Sequence, residues 1–264
     1  MCKDDVVLLI TGCICPVKDQ AWLCLGDESV RLQQYVASIK FYIDASDVKK
    51  IVFCENSGFV YKDCALLVDY ADAKGKKLEW LSYKGDESLI RKYGKGAGED
   101  EIYSYALEHS ELLKDARSFV KVTGRLIVEN INRLINNIED GICYFNRDVY
   151  RPHYKGVDTR FYVADKAFFE QNLLNCYKIK EKKGLQERAL EDVFFCLLKG
   201  RYKCLRGFPI IKGVSAGNGR DYSKENNLLI FIFNCFGYLN LFNKLFVAEW
   251  FLLHSYYKVK KMIK

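Results

Sequence analysis

The sequence has little of what would divide it into parts or gather a metal centre. Its 264 residues include three prolines, and no stretch rich in proline, glycine and serine separates one region from another. The three histidines are scattered, and the 11 cysteines include no Cys-x-x-Cys pair, so ligands for zinc are not clustered. These absences speak against domains joined by a flexible linker and against a structural zinc site.

We also expect no leader segment, because the first apolar run begins at Val6 and has the pattern of a strand. The number of cysteines is odd, and several of them lie inside apolar runs, where a free thiol packs as a small hydrophobic group. Together these features predict a protein of the reducing cytoplasm.

What the sequence does have is apolar residues and mixed charge. Half of the residues are hydrophobic and 14% are aromatic, which is enough for a sizeable core and excludes a disordered chain. The net charge of +7 comes from 41 basic and 34 acidic residues, mixed along most of the chain. The excess of basic residues favours an anionic partner, which on charge alone is a nucleotide phosphate, an anionic lipid or a nucleic acid. The basic residues form no single stripe apart from the lysines at the end, and no nucleic-acid motif appears, so no nucleic-acid partner is predicted.

Short apolar runs alternate with helical patterns through the first half. The runs at residues 6–14, 51–58, 78–83 and 119–128 are typical of buried strands, and helical patterns separate them. This order predicts an α/β fold with a mainly parallel sheet flanked by helices. The carboxyl ends of such strands meet at one edge, where ligands bind.

The pattern is looser after residue 130. We expect a short helix at 131–138, a strand at 141–145, a strand and helix across 160–174, and a helix at 187–200 that stops at a glycine.

The last segment differs from the rest, because residues 228–264 are dense in Phe and Leu and end in lysines. Polar residues interrupt it, whereas a spanning helix needs about 20 nearly unbroken apolar residues. We therefore predict a helical segment that contacts a membrane surface, with a core helix or an oligomer interface as the alternative. The predicted division is a main domain, 1–222, and this C-terminal segment, 223–264.

Phosphate-binding candidates lie in two places. Lys95 and Gly96 belong to a glycine-rich turn before a helix, whose first N–H groups favour an anion, although an ordinary turn explains them equally. The fourth predicted strand contains Lys121 and continues through Thr123, Gly124 and Arg125. An arginine at a sheet edge can hold a diphosphate through two parallel hydrogen bonds; the alternative is a solvated residue after a strand end.

Two acidic pairs are candidates for chemistry. Glu191 and Asp192 are neighbours on a predicted helix and point about 100° apart, so one of them can face a cleft while the other cannot. Asp158 and Arg160 precede an apolar run. A solvated helix face and a local ion pair are the respective alternatives.

The order of these elements resembles bacterial capsule and O-antigen polysaccharide glycosyltransferases of the GT-A fold. Residues 94–125 are similar to their glycine-rich turn, helix and fourth strand, and residues 189–205 to their Glu-Asp acceptor segment. The closer match is a subgroup that has Lys-x-Thr-Gly-Arg in place of Asp-x-Asp. The resemblance covers about residues 6–222.

The resemblance implies an inverting transferase that moves a sugar, by default from a UDP-hexose, to a glycan or lipid-linked glycan acceptor. By this resemblance the base and ribose of the donor lie near Thr11, Glu55 and Asn56. Asp158 and Arg160 would contact the donor sugar or the acceptor. The larger family favours Asp192 as the base that deprotonates the acceptor, and the closer subgroup favours Glu191.

The departure from Asp-x-Asp removes the carboxylate pair that would bind Mg²⁺ or Mn²⁺. We therefore expect transfer without a metal cofactor, with Arg125, helped by Lys121 or Lys95, neutralising the leaving diphosphate; a divalent metal is the alternative. The expected location is cytoplasmic, peripheral on the inner face of the membrane. The competing interpretation is a non-catalytic, degenerate transferase that serves as a membrane-associated assembly partner.

Overall fold

The computed structural model describes residues 5–17, 23–146, 156–178, 189–215 and 217–225. The strands are β1 (Val6–Gly12), β2 (Lys50–Glu55), β3 (Lys77–Ser82), β4 (Ser118–Thr123), β5 (Ile127–Val128), β6 (Phe161–Asp165) and β7 (Ile211–Lys212). The helices are α1 (Glu28–Ala45), α2 (Cys64–Ala73), α3 (Glu87–Tyr93), α4 (Lys95–His109), α5 (Glu111–Lys114), α6 (Ile131–Ile135), α7 (Lys166–Asn172) and α8 (Leu190–Leu198), and a 3₁₀ turn spans Tyr222–Glu225.

The main sheet has the order β3-β2-β1-β4-β6, and β1 to β4 run parallel. β6 pairs with β4 in the antiparallel direction. β1 lies at the centre because it bonds to β2 on one side and to β4 on the other. The predicted α/β fold with a mainly parallel sheet is confirmed.

Each face of the sheet buries its own apolar layer, because successive side chains of a strand point to opposite sides. Leu8 and Ile10 of β1 belong to the layer under α1 and α2, whereas Val7 and Leu9 belong to the layer under α4, α7 and α8. Every residue of β1 is buried, which is expected of a central strand covered by helices on both faces.

The strand predicted to run to residue 128 ends at Thr123 instead. The Gly124 N–H donates to the Thr11 carbonyl at 2.8 Å, and the Leu126 N–H donates back to the Thr123 carbonyl at 2.9 Å, so the chain turns away from the sheet. Residues 127–128 then pair with β7 in a separate two-stranded sheet. The strand expected at 141–145 is reduced to bridges at Tyr144.

Helix α3 was not predicted, although its signals are present. The Asp86 side chain accepts from the Ser88 N–H, Arg91 and Lys92 lie in the last turn, and Gly94 follows at a φ of 80°. The predicted helix at 187–200 is observed as α8, ending before Lys199 and Gly200, and its expected start at 187 lies outside the described residues.

The predicted C-terminal segment also lies outside the described residues, which end at 225, so the domain boundary at 222 stays a prediction. In the part of the chain that the structure describes, no helix is long and apolar enough to cross a membrane.

Candidate functional site

All three threonines of the chain lie at the carboxyl edge of the sheet. Thr11 and Thr123 are register partners near the ends of the adjacent strands β1 and β4. Thr159 lies two residues before β6, and the Thr123 N–H donates to the carbonyl of its neighbour Arg160 at 2.9 Å. The edge where ligands bind in parallel sheets therefore carries hydroxyl groups from three neighbouring strands.

A buried lysine joins these hydroxyl groups. Lys121 of β4 is fully buried, and its Nζ donates to Thr123 Oγ1 at 3.0 Å and to the Thr159 carbonyl. The same Nζ forms an ion pair with Glu99 of α4, and Glu99 accepts in turn from Thr11 Oγ1 at 3.3 Å. An ammonium group has three N–H donors, so the contacts of Lys121 are all within the protein.

The network reaches one of the two candidate bases. Thr159 Oγ1 donates to Glu191 Oε1 at 3.2 Å, and the Val157 N–H donates to the Glu191 carbonyl at 3.2 Å. We refer to these six hydrogen-bonded residues as the threonine network: Thr11, Glu99, Lys121, Thr123, Thr159 and Glu191. Glu191 is half-buried and Asp192 is buried, so Glu191 is the acid of the pair that this network brings to the sheet edge.

Asp158 and Arg160 bind each other. Arg160 Nε donates to Asp158 Oδ1 at 2.9 Å, Nη2 donates to Oδ2, and the Arg160 N–H also reaches Oδ1 at 2.9 Å. The Arg160 guanidinium carbon lies 4.7 Å from the ring centroid of Tyr222. The charge of this arginine is thus compensated inside the protein, beside the threonine network.

Arg125 lies on the opposite face of the same edge. It is 7% exposed, and its Nη1 donates to Gln34 Oε1 at 3.0 Å and to the Val214 carbonyl at 3.4 Å. Burial lowers the pKa of Arg125, but a guanidinium stays charged in proteins. No carboxylate among the described residues pairs with it, in contrast to Lys121 and Arg160.

Arg31 of α1 is a second buried cation on this face. Its Nε donates to the Cys13 carbonyl at 2.9 Å and its Nη1 to the Leu25 carbonyl at 2.9 Å, so it holds the loop after β1. The guanidinium carbons of Arg31 and Arg125 each lie 6.0 Å from the ring centroid of Tyr35. We call these two residues the arginine pair; within the described residues neither has an acidic partner.

Gly124 makes the close approach of these parts possible. A Cβ at this position would lie 2.5 Å from the Thr11 carbonyl oxygen and 2.8 Å from the Tyr35 ring. Its own carbonyl accepts from Ser38 Oγ of α1. Glycine is required here because any side chain would separate β1, α1 and the end of β4.

Glu55 connects the loops after β1 and β2 to the end of β3. Its carboxylate is fully buried and accepts from the backbone N–H groups of Ile14, Ser57 and Phe59 at 3.4, 2.9 and 2.8 Å. The hydroxyl groups of Ser57 and Ser82 also donate to it. The described donors therefore come from the chain after β1, the chain after β2 and the last residue of β3, and five protein donors stabilise the carboxylate.

Asn56 connects the end of β2 to the glycine-rich start of α4. Its side-chain Nδ2 donates to the Gly98 carbonyl at 3.3 Å, while its buried Oδ1 has no partner among the described residues. Gly96 packs on the start of α8, since a Cβ there would lie 3.2 Å from the Leu190 Cβ. Lys95 is exposed at the first turn of α4.

Three consecutive acids of α4 serve three different neighbours. Glu99 pairs with Lys121, Asp100 accepts from the Tyr177 N–H at 3.2 Å, and Glu101 accepts from the Asp86 N–H at 2.9 Å. The helical step of about 100° directs adjacent side chains to different sides, which explains the division. Glu99 was not predicted from the sequence, because the glycines of this stretch indicated a phosphate-binding turn instead.

The described residues contain no group of three His, Cys, Asp or Glu residues that could hold a divalent metal, and Thr123 at the end of β4 is followed by Gly124 and Arg125. Glu99 and Asp158, two carboxylates at this edge, are each engaged by a cation of the protein.

The opposite end of the sheet has a cavity of about 440 Å³ between the start of β4 and the end of β6. Lys166 and Asp165 line it, but the Lys166 Nζ donates to the Leu113 and Lys114 carbonyls and Asp165 caps α7. These two charged groups thus serve the local structure, at the end of the sheet opposite the carboxyl edge.

Comparison with known proteins shows the fold. No protein-family profile and no curated protein sequence matches the chain. Two solved structures of the glycosyltransferase GlyE from Streptococcus pneumoniae TIGR4, one of them the apo form, match with TM-scores of 0.50 at 10% and 12% identity. Both matches cover 76% of this chain and 44% of the GlyE chain, so this chain spans less than half of that protein's length.

A mannosyltransferase from Pyrobaculum calidifontis, solved with GDP-Man and Mn²⁺, matches more weakly, with a TM-score of 0.43 at 8% identity. That match covers 76% of this chain and 54% of the mannosyltransferase. Because its TM-score is below 0.5, it supports no argument about ligands. The likeness to GlyE shows a GT-A-like α/β fold, as the sequence predicted.

Proposed function

We propose that this protein is a glycosyltransferase that binds a nucleotide-sugar donor at the carboxyl edge of its main sheet. The observation that carries the proposal is the arginine pair, two buried cations without an acidic partner in the described structure. Burying a charge without a counter-charge is unfavourable, so such a pair favours an anionic ligand. A nucleoside diphosphate supplies that charge, and the fold shared with GlyE supports the reaction class.

In the proposed reaction an acceptor hydroxyl oxygen attacks the anomeric carbon of the donor sugar. The bond from that carbon to the diphosphate oxygen breaks, and the nucleoside diphosphate leaves with the electron pair. Arg125 neutralises the negative charge that develops on the leaving group. Glu191 takes the proton from the acceptor oxygen, and single displacement inverts the anomeric centre.

Glu191 is the better base of the two candidates because it joins the threonine network at the sheet edge. Asp192 is buried in the first turn of α8. We assign Lys121 and Glu55 to the support of the site, since the donors of Lys121 and the oxygens of Glu55 are engaged by protein groups. Asn56, with its unpartnered Oδ1, is the contact we assign to the nucleotide base.

We further propose that transfer is metal-independent, because Arg125 stands where the related motif has a carboxylate pair. UDP-hexose is the proposed donor class. A lipid-linked glycan of cell-surface polysaccharide synthesis is the proposed acceptor, reached by membrane contact of residues 228–264. Deleting those residues should abolish binding to anionic lipid vesicles; vesicle binding that persists after the deletion would contradict this contact.

Calorimetric titration tests the donor proposal. UDP, GDP and CMP, and a sugar conjugate of each, are titrated first with excess EDTA and then with Mn²⁺. We expect binding of UDP and UDP-hexose in EDTA, and its loss in Arg125→Ala. The matched control is Lys77→Gln, which removes an exposed cation at the far strand β3 and should leave the affinity unchanged.

Binding that requires Mn²⁺ would show that metal ligands lie outside the described residues and would overturn metal independence. Binding of none of these nucleotides would overturn the transferase proposal and favour a non-catalytic assembly partner.

A further inference from the structure

We propose that Thr159 is a positioning residue that orients Glu191 for proton abstraction, held in place by the Glu99–Lys121 ion pair. The proposal rests on the function proposed above and extends it to residues that touch no substrate.

The hydrogen bond from Thr159 Oγ1 to Glu191 Oε1, at 3.2 Å, is the contact that matters. It holds one oxygen of the Glu191 carboxylate in a fixed position at the sheet edge. Restricting a carboxylate to one rotamer brings the reacting atoms into line.

Thr159 is itself held from both sides. It is 4% exposed, and its carbonyl accepts from Lys121 Nζ. The neighbouring Val157 N–H donates to the Glu191 carbonyl at 3.2 Å, so the same short segment binds both the backbone and the side chain of Glu191. A rotation of the Glu191 side chain would therefore break a contact without moving the backbone.

Lys121 is fixed in turn by Glu99 and Thr123. The contacts of Lys121 thus link β4, α4 and the segment before β6. The position of the proposed base thus depends on α4 through two intermediate contacts, Glu99 to Lys121 and Lys121 to Thr159.

The test uses the full-length chain and water as the acceptor. Hydrolysis of UDP-glucose and UDP-galactose is followed as released UDP, with kcat and the donor KM measured separately. In this reaction the water oxygen bonds to the anomeric carbon, UDP leaves, and the water proton passes to Glu191.

We expect Thr159→Val to lower kcat about tenfold to a hundredfold while the donor KM changes less than threefold. Thr159→Ser, which keeps the hydroxyl group, should restore kcat to within threefold of the wild type. The matched control is Ser118→Ala, which removes a buried hydroxyl group from the opposite end of β4 and should leave kcat unchanged.

Three results would overturn the proposal: a kcat within twofold of wild type in Thr159→Val, an equal loss in Ser118→Ala, or no rescue by Thr159→Ser. A wild-type chain that binds no nucleotide and releases no UDP overturns the proposed function itself and this inference with it. If Thr159→Val does not fold, Thr159→Ser and Thr159→Ala are compared, and equal kcat values for these two overturn the proposal.

Discussion

The two faces of one sheet edge differ in whether their buried cations are paired with acids. On the α4 and α8 face, the threonine network pairs its lysine with Glu99, and the adjacent Arg160 with Asp158. On the α1 face, Arg31 and Arg125 share the ring of Tyr35, and their described partners are carbonyl, hydroxyl and amide oxygens. On the first face both of these cations have acidic partners, whereas on the second face neither arginine has one among the described residues.

This difference corresponds to the two proposed roles, structural support on the first face and anion binding on the second. A paired ion inside a protein loses stability when one partner is removed, because the other becomes an isolated buried charge. Removal of an unpaired cation has the opposite effect. The folded protein no longer buries an isolated charge, and an anionic ligand loses a group that binds it. Substitutions on the first face should therefore change the free energy of unfolding, whereas substitutions on the second face should change the affinity for an anionic ligand.

The largest effect on stability is expected on the α4 and α8 face. Glu99→Gln leaves the fully buried Lys121 without its counter-charge and should lower the free energy of unfolding by about 3 kcal/mol, measured by urea denaturation. Asp72→Asn is the control, because it breaks the exposed Asp72–Lys77 pair and should change stability by less than about 0.5 kcal/mol. Equal changes in stability in the two variants would contradict a stabilising role for the buried Glu99–Lys121 pair.

Asp100, the residue next to Glu99, extends the comparison to an unpaired acid. Burial raises the pKa of Asp100 to about 7 from its ordinary 3.8. The folded chain therefore keeps a proton that the unfolded chain has released, and stability falls as the pH rises from about 4 to 7. Asp100→Asn has no such charge to bury.

The stability gained by Asp100→Asn should accordingly be about 2 kcal/mol greater at pH 8 than at pH 5. Urea denaturation at both pH values measures the difference, and Glu111→Gln, which alters an exposed acid of α5, is the control. A difference that does not depend on pH would contradict the buried, raised pKa.

The third effect belongs to the arginine pair. Arg125→Gln should weaken binding of UDP and of inorganic pyrophosphate at least tenfold, which corresponds to about 1.4 kcal/mol. Its free energy of unfolding without ligand should stay equal to the wild type or rise. A variant that loses stability and keeps its affinity would assign Arg125 to the supporting face of the site.

The smallest effect is expected for the hydroxyl group of Tyr35, whose ring lies near both arginines. The Tyr35 hydroxyl accepts from the Cys13 N–H at 2.9 Å, so Tyr35→Phe should lower the free energy of unfolding by about 1 kcal/mol. Tyr70→Phe is the control, because the Tyr70 hydroxyl bonds to the exposed Asp44 and contributes less. A larger loss of stability in Tyr70→Phe than in Tyr35→Phe would contradict the stabilising role of the Tyr35 hydroxyl in the loop after β1.

Local pattern predicted the strands well and their ends less well. β1 and β2 follow from short apolar runs, which burial on both faces requires, and β3 was predicted from its own shorter run although it is a half-buried edge strand. The end of β4 was wrong because Gly124 turns through a bond to Thr11, a partner on another strand. The antiparallel direction of β6 is likewise a property of the sheet rather than of the sequence around it.

The candidate site shows the same limit. Lys121, Arg125 and Glu191 could be singled out from residue type and position, and the structure places them at one sheet edge. Glu99 and Arg31 could not, because their significance depends on which side chain faces them across the fold. Whether these residues act as proposed stays a prediction for the experiments above.

The central place of β1 also has a consequence for synthesis on the ribosome. β1 pairs on one side with β4, with Val6 opposite Ser118, so this edge of a mostly apolar strand stays open until β4 has emerged. An open apolar edge invites pairing with other nascent chains, so fragments that stop before β4 should aggregate. Glu191 emerges later still, and the proposed binding edge is therefore incomplete until α8 has been synthesised.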